Sequence, residues 1–117
     1  MSESDFRPST SDLCITLTEE QRLKLHERVD PNVLRAYNEF IQHKQSGARR
    51  WLTLYRLALL AAEVNVAQRW RTSELALLLR YDGIETPGTY AIAYSHCVTA
   101  LLVERGFCVN DEHLPIV

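Results

Sequence analysis

From Val33 to Val103, apolar side chains recur at steps of three and four residues, the period that gathers them on one side of an α-helix. The punctuation between these runs predicts where each helix starts and stops. Thr18 followed three positions later by Gln21 forms a capping box, so a first helix is expected over Glu19 to Val29. Asp30-Pro31 supplies an N-cap and then a residue whose missing N–H costs nothing at the first helical position, which predicts a second helix over 31–45. Its apolar stripe is Leu34, Tyr37 and Ile41, broadened by Val33 and Phe40, while Arg35, Asn38, Glu39 and Gln42 lie away from it. Gly47 fits a left-handed C-terminal cap for that helix.

Two later stretches are apolar almost all round. Over Ala48 to Gln68 the polar residues Arg49, Thr53, Arg56 and Glu63 occupy a narrow strip, and over Tyr90 to Val103 only Ser95, His96, Thr99 and two tyrosine hydroxyls interrupt the pattern. A helix of this kind has to be covered by neighbours or by a partner chain. Between them a short fourth helix is expected over Glu74 to Arg80, capped by Thr72 or Ser73. Asp82-Gly83 reads as a turn, Pro87-Gly88 as part of a loop, and Thr89 as the start of a fifth helix ended by Gly106. Phe107 to Val109 is expected as a short strand or an extended segment against the bundle.

These elements predict an all-α fold with one short C-terminal strand at most: a compact five-helix bundle in which the helices near 48–68 and 89–105 are central. The chain has 117 residues and is 46% hydrophobic, enough for one continuous core. Residues 1–12, rich in Ser, Thr, Asp and Glu, are expected as a flexible tail, and 13–117 as a single helical domain. A net charge of −2 gives no global attraction to nucleic acid or to an anionic membrane. The longest uninterrupted apolar run is Leu57 to Ala62 and the first residues lack the cationic and apolar segments of an export signal, so no membrane role and a cytoplasmic location are expected. Cys14, Cys97 and Cys108 form an odd set without a CxxC pair, which suits reduced thiols.

Catalytic chemistry finds little to work with. His26, His43, His96 and His113 lack the HxxxH or HExxH spacing that sets two metal ligands on one helical face. His96 and Cys97 are adjacent in sequence and so point about 100° apart on a helix, which keeps them from acting as base and nucleophile. No glycine-rich phosphate loop and no GxSxG occur, and Glu19-Glu20 and Asp111-Glu112 sit in polar surroundings. The expectation is a protein that is not an enzyme and takes no metal or cofactor.

The stretch from Trp51 to Val109 is similar in outline to a winged helix-turn-helix, with Thr72-Ser73-Glu74-Leu75-Ala76 opening the first motif helix and Gly106-Phe107-Cys108-Val109 a wing. The likeness implies nucleic-acid binding through the last helix. Three features depart from it: the connection from Tyr81 to Gly88 is long, the net charge is negative, and no Arg, Lys, Asn or Gln lies between Thr89 and Glu104 to read base edges.

Charge is uneven along the chain. Residues 49–80 hold 6 basic against 2 acidic side chains, whereas 1–48 hold 6 against 8 and 81–117 hold 1 against 5. All six are arginines, and several adjoin Trp51, Trp70 or Tyr81. Such groups grip phosphate, anchor a protein interface, or neutralise acids of the same molecule. The leading reading is a small non-enzymatic regulatory or adaptor protein that docks onto a protein partner or onto itself, using Ile92, Val103, Arg69, Trp70 and Arg71. The alternative is a helix-turn-helix-like nucleic-acid binder using Arg49, Arg50, Arg69, Arg71 and Arg80.

Overall fold

The computed structural model describes residues 16–42, 47–107 and 109, so the expected tail at 1–12 lies outside the described residues. Within them the chain forms helices α1 (Glu19–Arg28), α2 (Pro31–Gln42), α3 (Gly47–Glu63), α4 (Thr72–Tyr81) and α5 (Pro87–Glu104), with a 3-10 turn at Val66–Gln68 between α3 and α4. No strand forms among the described residues, and Val109 packs half-buried against the core.

The start signals of the first two helices work as their chemistry requires. The Thr18 hydroxyl accepts the Gln21 N–H at 3.1 Å, and Gln21 Oε1 accepts the Thr18 N–H at 2.9 Å. Asp30 Oδ1 accepts the N–H of Asn32 at 2.8 Å, just ahead of α2.

Four boundaries differ from the expectation. Gly47 does not close α2 in a left-handed conformation but is the first residue of α3; the positive-φ glycines are Gly83 and Gly106. Helix α3 stops at Glu63 rather than continuing to Gln68, because the Arg69 guanidinium turns back and donates to the carbonyls of Ala61 and Val64 at 3.3 and 2.7 Å. Helix α4 is entered at Thr72 with Arg71 as its N-cap, whose N–H donates to Glu74 Oε1 at 2.9 Å. Pro87 is not loop but the first residue of α5, where a fixed φ and an absent donor suit a helix start.

Packing runs in the order α2, α3, α5, α4, so α3 and α5 each touch two neighbours and are the central pair. Glu39 reaches Arg56 across an antiparallel α2–α3 pair. Helices α3 and α5 run parallel: Trp51 meets Tyr90 near their N-termini, and the Arg105 guanidinium donates to the Ala62 carbonyl at their C-termini at 2.9 Å. After a tight turn at Gly83, whose φ of +86° favours glycine, α5 returns antiparallel to α4. The core between them is built on Trp70, Tyr37, Tyr94, Phe40, Leu57 and Leu78, all at most 1% exposed. Helix α1 buries no residue fully and is tied to α4 at both ends, by Glu19 to the Tyr81 hydroxyl and by Arg28 to Glu74 at 2.6 Å.

Candidate interaction surface

Being central does not enclose α3 and α5. On α5, Ile92 and Val103 are each 55% exposed. His96 and Ala100 are exposed between them, while Ala93 and Thr99 are half-buried. Positions 92, 96, 99, 100 and 103 follow helical spacing, so they form one face about three turns long. From Pro87 to Val103 that helix carries no Asp, Glu, Lys or Arg. Phe107, 53% exposed, sits beyond its C-terminal end.

Helix α3 leaves a second uncovered row: Trp51, Leu52 and Tyr55, of which Leu52 is 59% exposed. Nothing in the hydrophobic pattern singles out these three. It shows more apolar surface on this helix than two neighbours can cover, yet not which side is left over. Trp51 packs against Tyr90 with ring centroids 4.9 Å apart, and Phe40 meets the same tyrosine ring at 5.3 Å. Arg50 lies over that ring at 5.3 Å and donates to its hydroxyl at 2.9 Å.

Two of the expected surface anchors are interior. Trp70 is fully buried, its indole N–H donating to the Leu25 carbonyl at 3.1 Å, and its own carbonyl accepts the Tyr94 hydroxyl at 2.9 Å. Arg69 is 6% exposed and closes the C-terminal end of α3, and burial lowers its pKa from the usual guanidinium range. Both side chains hold the fold together, so neither is presented to another molecule. Arg71 alone of the three is exposed.

The five arginines considered for nucleic acid are spread over the molecule. Arg50 is engaged at the N-terminal end of α3 and Arg69 at its C-terminal end; the eleven residues from Arg50 to Ala61 put roughly 16 Å of helix axis between those positions. Arg71 and Arg80 stand at opposite ends of α4, and Arg80 is half-buried. Arg49 is exposed at the start of α3. On α5, the helix that would enter a groove, the outward positions are Thr89, Ile92, His96, Ala100 and Val103, none of which carries a guanidinium or an amide.

Polar chemistry gathers under α1. The Tyr37 hydroxyl donates to Asp82, and the His26 ring lies against those of Tyr37 and Trp70 with centroids 6.1 and 6.2 Å apart. Burial raises the Tyr37 phenol well above its ordinary range. Burial, followed by the nearby Arg22 charge, lowers the His26 pKa, and His26 Nε2 is buried without a hydrogen-bond partner among the described residues. A cleft of about 570 Å³ opens where the C-terminal ends of α3 and α5 meet, lined by Val64, Val66, Leu102, Phe107, Arg69 and Arg105 among others. The guanidinium of Arg105 in that cleft is held by the Ala62 carbonyl and by Glu63 at 3.7 Å. Burial pushes the Cys97 thiol up, away from the reactive thiolate. Among the described residues no group of three or more His, Cys, Asp or Glu converges on a metal position, and no helix is long and apolar enough to cross a membrane.

Compared with protein-family models, curated proteins and solved structures, the chain matches none of them.

Proposed function

We propose that this chain is a small non-enzymatic adaptor or regulator of the cytoplasm that works by pairing with a second copy of itself through the outer face of α5. The observation that carries the reading is the exposed row Ile92, His96, Ala100 and Val103, free of Asp, Glu, Lys and Arg, on a central helix. Ile92 and Val103 leave hydrocarbon in water at the two ends of this row, and covering apolar surface regains about 25 cal/mol per Å². A partner brings the cover that α4 and α3 do not.

A twofold axis across the middle of the row sets Ile92 of one copy against Val103 of the other, with His96 and Ala100 between. Self-complementary pairing of this sort requires that no charge meet its own image, and the absence of Asp, Glu, Lys and Arg between Pro87 and Val103 favours that. Antiparallel α5 helices also bring the exposed Glu104 of each copy toward the positive N-terminal end of the other. Small residues at Ala93 and Ala100 allow the axes to approach closely.

Sedimentation equilibrium over a wide concentration range tests this. An apolar face predicts reversible dimerisation that changes little with salt, because screening acts on exposed charge and not on buried hydrocarbon. A wild-type chain that remains monomeric throughout, or a dimer that dissolves steeply with salt, rules the reading out.

A further inference from the structure

We infer that the outer face of α3 is a second docking surface, and that its partner is an acidic amphipathic helix of another protein. This goes beyond self-pairing through α5 and does not depend on it. Trp51, Leu52 and Tyr55 form the apolar part, and the basic part lies on the flank that faces α2. Arg49, Leu52 and Arg56 are spaced at three and four residues, so the two guanidiniums border the apolar row on one side of the helix. Across a shallow groove of about 250 Å³ between α2 and α3, lined by Asn32, Arg35, Ala36, Glu39, Arg56 and Leu60, a third guanidinium stands exposed at Arg35.

Charge decides the occupant. From Gly47 to Ala62 helix α3 has no acidic residue, and among the described residues the one carboxylate lining the groove, Glu39, is held by Arg56 Nη1 at 3.2 Å. Three guanidiniums against one carboxylate beside an aromatic row favour a ligand that brings its own carboxylates and its own apolar anchors. An amphipathic helix does so in one element, with apolar side chains at i, i+3 and i+4 laid on Trp51, Leu52 and Tyr55 and acids reaching the arginine flank. A second copy docking the same face would set arginine against arginine, and the α5 row from Ile92 to Val103 has no acid to offer, Glu104 standing beyond its end. The surface is also preformed: Trp51 is braced by Tyr90, which Phe40 and Arg50 hold in turn. Little ordering is left to be done on binding.

A display library of random sixteen-residue peptides selected on the full chain tests the proposal. Enriched sequences are expected to combine two or three large apolar residues at helical spacing with flanking Asp and Glu. A synthetic peptide of that consensus is expected to bind with an affinity that falls with salt and drops at least tenfold in W51A and in R49E/R56E. Arg49 and Arg56 are exposed, and the Arg56–Glu39 pair that the reversal breaks is a surface one, so the charge-reversed protein should fold with only a small drop in melting temperature, and selection on it should turn to Lys- and Arg-bearing peptides. The same selection on I92E should be unchanged, which separates this surface from the α5 pairing. Enrichment without acidic bias, no enrichment at all, or displacement of the peptide by single-stranded oligo(dT) overturns the proposal.

Discussion

Tyr94 of α5 donates its buried hydroxyl to the main-chain carbonyl of Trp70, 2.9 Å away, and so stitches the central helix to the segment that leads into α4. The bond sits among fully buried side chains, where burial also raises the tyrosine pKa. Replacing Tyr94 with Phe keeps the ring and strands the carbonyl. Leaving a buried acceptor unsatisfied costs about 1–3 kcal/mol. Urea titration of Y94F is therefore expected to show a lower midpoint with an unchanged slope, and an unshifted midpoint would deny this bond a role in stability.

Arg69 and Arg71 flank Trp70 in sequence and do opposite things. Arg69 is buried against the carbonyls that end α3, whereas the Arg71 side chain is exposed. A hydrogen bond from a charged donor contributes about 1.5–3 kcal/mol, so R69M should lose stability of that order. R71M should stay within about 0.5 kcal/mol of the parent, as surface changes generally do. Thermal melts of the pair decide it, and equal losses would mean that the burial of Arg69 is not what ends the helix.

Stability should fall on mild acidification because of His26. Its folded pKa lies below the ordinary 6.5, through burial first and the Arg22 charge second, with Asp82 and Glu19 opposing. As pH drops through the ordinary value, the unfolded chain takes the proton before the folded one does, and the fold loses free energy until the lowered folded pKa is passed. Above about pH 6.5 both states hold neutral imidazole and the His26 contribution is flat. Denaturation midpoints measured from pH 7.5 down to pH 5 should show this decline, and H26F should flatten it. A wild-type curve identical to that of H26F would show that burial does not hold the ring neutral.

Much of the architecture is legible in short-range chemistry. Thr18 with Gln21, and Asp30 with Pro31, act on backbone groups two or three residues away, so the starts of α1 and α2 follow from local sequence. The two apolar stretches likewise fall on the two central helices. What local sequence does not reveal depends on distant partners. The end of α3 at Glu63 has no glycine or proline to announce it and is set by Arg69, five and eight residues beyond the carbonyls it binds. Arg-Trp-Arg at 69–71 has the composition of an interface anchor, yet Trp70 is committed to Leu25, 45 positions earlier. Pro87-Gly88 has the composition of a loop, and only the absent N–H at the first helical position shows why it opens α5 instead. Both central helices are apolar nearly all round, which announces leftover apolar surface on each, and on α5 Ile92 and Val103 are legible as part of it. The α3 row is not, since which side α2 and α5 leave open is a matter of packing.

The pairing of α5 with its copy is tested most directly by opposite charges at Ile92 and Val103, which the twofold arrangement sets against each other. Both are more than half exposed, so I92E, V103K and I92E/V103K should all fold, the single variants melting where the parent melts once diluted to monomer, since pairing itself adds to the parent's stability. Sedimentation velocity at matched concentration should then show a dimer for the parent and monomers for each single variant. The double variant should recover the dimer, because the carboxylate introduced at position 92 of each copy then faces the ammonium introduced at position 103 of the other. A parent that sediments as a monomer, or a double variant no more associated than the singles, would contradict the account.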